Sequence, residues 1–226
     1  MQPEKIQVEL DKVVSALREF YAREAQLFER DLGERTFNHR LAVHVEKQFD
    51  GWDVDCDYNR LGERTLRLPR GTIISTDDGN GKSVFPDIVV HHRAIPENLL
   101  AIEVRKASNH QPPEHDQHKL RGLTDPHLWF AYQIGVLVTL AKDTVAASEV
   151  YFGGAIDPAL SGFLSRRLRD GVGVILNGGR TRGRSLDLSR ANIRQQGRWH
   201  TWSRTDVALP GTPQRCRAYH PSIPQI

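Results

Sequence analysis

Cysteine is nearly missing from this 226-residue chain: it has two, Cys56 and Cys216. They lie in segments of very different character, so both are expected to be reduced rather than part of a disulfide framework. Long apolar runs are missing too. None approaches the roughly 20 residues needed to cross a bilayer, and the opening MQPEKIQVEL lacks the basic stretch and apolar core of a secretory signal. No membrane association is therefore expected, and a cytoplasmic location follows by default. There is no internal repeat, no cofactor loop and no nucleophile motif, which leaves a metal-free small-molecule enzyme with little support. Gly81-Lys82-Ser83 has the ending of a phosphate-binding loop, but Thr76 stands where the first glycine belongs and a strand follows. The ten histidines include His91-His92 and the pair His115 and His118, with no cysteine near either. That argues for packing or surface roles rather than zinc. Lysine and glutamate disappear from residue 155 onward, where twelve arginines stand against four aspartates.

That last absence divides the chain. Residues 155–226 carry a net +8, which leaves −5 for residues 1–154 of a protein whose formal charge is +3. With 38% hydrophobic and 26% charged residues, the composition is that of an ordinary globular protein. One principal domain over 1–154 is expected, followed by an Arg-rich extension over 155–226 that is partly disordered and able to attract phosphate backbones. Trp199 and Trp202 add aromatic surface to that extension.

Apolar residues at Ile6, Leu10, Val13, Leu17 and Phe20 predict an amphipathic N-terminal helix. Phe37, Leu41, Val45 and Phe49 predict a second helix over residues 34–49. From Trp52 to Tyr58 apolar residues or cysteine alternate with aspartate, the pattern of a strand. Ser83 to Arg93 and Asn98 to Lys106 are two further strands joined as a hairpin. Pro112-Pro113 followed by acidic residues opens a helix reaching Leu123, and Tyr132 to Leu140 is a buried strand. Beyond Glu149 the pattern weakens, with a helix expected over 155–170 and a short strand over 172–176.

If the hairpin turn centres on Ile95, Asp87 falls opposite Glu103. Directly opposed carboxylates in a strand of Ile, Val and Leu are costly unless something compensates. A divalent ion would do so, since Mg²⁺ takes one or two carboxylates, keeps waters and engages phosphate oxygens. Arg105 shares a face with Glu103 and brings positive charge to the same place.

Pro86-Asp87, followed by a strand carrying Glu103-Val104-Arg105-Lys106, resembles the motif of the PD-(D/E)XK nucleases. The order helix, three strands, helix, strand from Glu34 to Leu140 resembles their restriction-endonuclease-like αβββαβ core, an α/β fold with a mixed central sheet flanked by helices. Within that class the segments ERTFNHRLAVHVEK, DCDYNR, FPDIVVHHR, LLAIEVRKASN and DQHKLRGL look like a group of small bacterial proteins. The resemblance implies hydrolysis of phosphodiester bonds in DNA, or alternatively RNA, in endonuclease or exonuclease mode. Mg²⁺ or Mn²⁺ would be held by Asp87 and Glu103. Glu34 resembles an extra acidic residue that some members contribute, and Asp57 is a second candidate. Arginine stands at 105 where the family has lysine; it keeps the charge but cannot act as a base, and Lys106 is the substitute if the strand end twists. Arg60, Lys119 and Arg121 are candidate nucleic-acid contacts, although Lys119 and Asp116 also have the spacing of a surface ion pair. The alternative reading is a nuclease fold without turnover that binds nucleic acid or a protein partner.

Overall fold

In this computed structural model the described residues are 1–61, 64–65, 67–68, 82–93 and 95–178. All of them belong to one compact unit. The Asp77-to-Gly81 turn, the two tryptophans and most of the basic extension lie outside the described residues.

Three helices open the chain: α1 (Pro3–Arg23), α2 (Ala25–Glu29) and α3 (Glu34–Glu46). Strand β1 (Asp53–Cys56) follows a turn at Gly51, whose φ of +80° suits glycine. Two small ladders come next, β2 (Arg60–Leu61) with β3 (Arg64–Thr65) and β4 (Arg67–Leu68) with β5 (Lys82–Ser83). The hairpin then consists of β6 (Ile88–His91) and β7 (Asn98–Lys106), paired antiparallel. Helix α4 (Glu114–Leu123) leads to β8 (Ile134–Leu140), which lies parallel to β7. Strands β9 (Val145–Phe152) and β10 (Ala155–Ile156) and helix α5 (Pro158–Gly178) complete the described part.

The main sheet is mixed, with strand order β1-β6-β7-β8-β9-β10. Side-chain alternation sends two sets of residues to opposite faces. Leu100, Ile102 and Val104 join Val136 and Val138 against Leu10, Leu17, Phe37 and Leu41 of α1 and α3, with Leu160, Leu164 and Leu168 of α5 in the same core. On the other face Val89, Ala101, Leu137 and Tyr151 meet Leu120 and Leu123 of α4. Eight of the nine β7 residues are buried, because this strand has helices on both sides. The sheet is thus flanked by helices on both faces, as the sequence predicts.

Some boundaries differ from expectation. The expected strand from Ser83 to Arg93 divides into β5 and β6, and Pro86, which has no N–H to donate to a ladder, lies between them. Residues 172–176 continue α5 rather than forming a strand; a short apolar run of that kind fits either state. Strand β9 was not anticipated. No helix among the described residues is long and apolar enough to cross a membrane.

Candidate functional site

Three of the four β6–β7 pairs keep one register, with Ile88 opposite Ile102, Val89 opposite Ala101 and Val90 opposite Leu100, before a bulge near His91. Continued by one residue, this register sets Asp87 across from Glu103. Asp87 accepts a hydrogen bond through Oδ2 from the Val104 N–H at 2.8 Å, which fixes its side chain over the neighbouring strand. Burial pushes its carboxyl up to about 6, while nearby Lys119 and the Val104 N–H pull it down.

Glu103 lies deeper, only 1% exposed, on the α4 face of β7. Burial holds its pKa well above the ordinary carboxylate range. Its Oε1 is buried without a hydrogen-bond partner. Its Oε2 accepts a hydrogen bond from Nζ of Lys119, a residue of α4 that is itself 8% exposed. The same ammonium lies 3.3 Å from the Phe85 carbonyl oxygen, to which it donates, and 3.8 Å from Asp116 Oδ1. Burial works to lower the pKa of Lys119, but Glu103, Asp87 and Asp116 outweigh it and raise the pKa. Lys119 therefore stays charged.

The expected surface pair of Asp116 and Lys119 instead faces the sheet. Asp116, Lys119, Leu120 and Leu123 follow the i, i+3, i+4, i+7 spacing of one helix face, so the lysine belongs to the face that packs. That spacing is the signal by which its burial could have been read from the sequence. The opposed carboxylates are thus compensated in part by a lysine whose position in space the linear motif does not reveal.

Arg105 is also held by protein groups. Its Nη1 donates to Asp116 Oδ2 at 2.7 Å and its Nη2 to the Gln111 carbonyl, and the side chain is buried. It ties the end of β7 to the first turn of α4. Lys106 points to the opposite face, where its ammonium donates to Asp31 and to the Leu32 carbonyl and lies 5.3 Å from the Phe37 ring centroid. The structure does not bring it to the carboxylates. Glu34, in the first turn of α3, accepts through Oε1 from the Lys106 backbone N–H at 3.1 Å and from Asn109 Nδ2 at 2.9 Å. Asp57 is exposed, with a φ of +51°, and its N–H donates to the Asp87 carbonyl at 3.3 Å.

Glu34, Asp87, Arg105, Asn109, Glu114 and Asp116 line a common open cleft of about 450 Å³ at the end of the central strand. The candidate nucleic-acid contacts are not gathered there. Arg60 is exposed beside Thr65 in the small ladder, Arg121 is exposed with its guanidinium 5.7 Å from the Tyr151 ring centroid, and Lys119 is buried at Glu103. Among the weighed histidines, His91 is buried and hydrogen-bonded to Asp55 at 3.0 Å, and His92 stacks on Trp52.

No protein-family model matches this chain, and no curated protein matches it with significance.

The donor set can be tested against a divalent ion on its chemistry. Asp87 and Glu103 are both destabilised as anions by burial, and one oxygen of Glu103 lacks a partner. A hard cation that binds oxygen relieves both conditions. Among the described residues no group of three or more His, Cys, Asp or Glu side chains is close enough to hold an ion. An ion at Asp87 and Glu103 would therefore rely on two carboxylates and water, a regime that Mg²⁺ tolerates. The residues fit such an ion, with the Lys119 ammonium as an immediate neighbour.

Proposed function

We propose that this chain is a metal-dependent nuclease of the PD-(D/E)XK type, a cytoplasmic enzyme that hydrolyses phosphodiester bonds in DNA. The observation that carries this reading is the register that sets half-buried Asp87 across from buried Glu103, whose Oε1 is unpartnered. The mixed sheet order and the parallel β7–β8 pair support the reading. Asp87 and Glu103 would hold Mg²⁺ or Mn²⁺. Bound there, the ion supplies Lewis-acid stabilisation for attack of water on the phosphodiester.

The remaining roles follow from the side chains themselves. Lys119 keeps its proton under the influence of three carboxylates, so it acts as a fixed positive charge and a hydrogen-bond donor, not as a base. Arg105 is a positioning residue, since it sets Asp116 and the start of α4 against the strand end. Glu34 anchors the end of β7 through the Lys106 N–H and forms one wall of the cleft.

A second reading, a nuclease fold that binds nucleic acid or a protein partner without turnover, is favoured by one observation: the ammonium already on Glu103. Incubation of the protein with single-stranded, double-stranded and branched DNA in Mg²⁺ or Mn²⁺ separates the two. Cleavage that disappears in Asp87→Ala and in Glu103→Ala is expected. Cleavage that survives both substitutions contradicts the site, and no cleavage of any substrate by the wild type leaves the binding module as the better account.

A further inference from the structure

We propose that Lys119 is the resident counter-ion of the metal site: its ammonium holds Glu103 in the metal-free protein, and a divalent ion binds in competition with it. This rests on the reading that Asp87 and Glu103 are the metal ligands. Three observations lead to it.

Glu103 is closed off from solvent, so without metal its charge needs a protein partner. Among the described residues the only hydrogen bond to its carboxylate is the one from Lys119 to Oε2, and Oε1 has none. The ammonium and an ion at Asp87 and Glu103 would therefore draw on one carboxylate. Two cations in contact at a site with little water repel strongly.

The ammonium also has somewhere to go. Besides Glu103 it has the Phe85 carbonyl oxygen at 3.3 Å and Asp116 Oδ1 at 3.8 Å. On release from Glu103 it keeps an acceptor and an anion within a short side-chain movement. Arg105 holds Asp116 in place for this from the other side at 2.7 Å. The side chain starts from α4 next to Leu120 and Leu123, which pack on the sheet.

A purely structural ion pair predicts something different. If Lys119 served stability alone, removing its charge would leave metal affinity unchanged, or would weaken it by loosening the site. Competition predicts tighter binding.

The test is calorimetric titration of the full chain with Mn²⁺ at pH 8, where protons compete less for the carboxylates. Lys119→Met is expected to bind Mn²⁺ about tenfold or more tightly than the wild type. It is also expected to show a larger rise in Tm on adding Mn²⁺, because its Glu103 is uncompensated until the ion arrives. Lys119→Arg, which keeps the charge, should stay near the wild-type affinity. Lys119→Gln keeps a donor without the charge and provides the same comparison where the Met variant does not fold. Equal or weaker Mn²⁺ affinity in a folded, uncharged variant overturns the proposal while leaving the metal site standing. Affinity that is unaffected by Glu103→Ala in the wild-type background overturns the metal site itself, and the counter-ion role with it.

Discussion

Asp87 is held where its charge is unwelcome, and that has a measurable cost. Its pKa is raised from 3.8 in the unfolded chain to about 6 in the folded protein. As pH rises through this window the unfolded state loses its proton first, so stability falls between about pH 4 and pH 6 and stays lower above. Asp87→Asn removes the penalty, and its side-chain oxygen can still accept from the Val104 N–H. Chemical denaturation at pH 8 without metal should find this variant about 1 to 3 kcal/mol more stable than the wild type, with the gain shrinking as pH falls toward 4. Wild-type stability that matches the variant at pH 8 would show that Asp87 is not strained. A side chain that destabilises its own fold is a common mark of a functional site.

At the scale of elements, the position of α4 decides whether Lys119 reaches Glu103, and Gly135 of β8 permits that position. A Cβ at Gly135 would lie 2.9 Å from Thr124 Cγ2, 3.1 Å from Tyr151 Cβ and 3.2 Å from Leu120 Cδ2. Gly135→Ala should therefore push the end of α4 outward and cost about 1 to 3 kcal/mol in urea denaturation; an unchanged midpoint would mean that α4 is not held so closely. Helix α5 adds a second test, because Leu164 is fully buried in the core shared with α1 and α3. Leu164→Ala should cost about 2 to 5 kcal/mol, whereas a neutral effect would make α5 an ornament on the domain.

The elements with a clear period were readable in advance. The i, i+4 spacing of Phe37, Leu41 and Val45 marked α3, and the dense branched residues of Asn98 to Lys106 marked β7. The hairpin register placing Asp87 across from Glu103 was read by centring the loop on Ile95; the pair nearest the turn, His91 with Asn98, is out of that register, and the bulge between Val90 and His91 restores it for the pairs that lead to Asp87. Strand β9 was not readable, since Ala146, Ala147 and Ser148 interrupt the alternation and two of the three are exposed. Lys119 was placed on the surface because a charge on a polar helix is usually solvated; its partners inside, Glu103 and the Phe85 carbonyl, are sixteen and thirty-four residues away in sequence.

For the whole molecule, charge is divided against the proposed substrate. The first 154 residues are net negative and the cleft is lined by Glu34, Asp87, Glu114 and Asp116, so attraction for a phosphate backbone has to come from elsewhere. Bound metal would be one source and the arginines after residue 178 another. Affinity of the full chain for duplex DNA should fall steeply with salt, by about 0.9 log units per log unit of salt for each phosphate neutralised. Truncation after Gly178 should flatten that slope; an unchanged slope would mean that the extension does not contact DNA.

If Asp87 and Glu103 together hold a divalent ion, crystals of the protein grown with Mn²⁺ will reveal it through the metal's anomalous scattering. The expected result is a peak bonded to one oxygen from each carboxylate, with the Lys119 ammonium moved toward Asp116. A map with no peak between the two carboxylates, and with Lys119 still on Glu103 at saturating Mn²⁺, would contradict it.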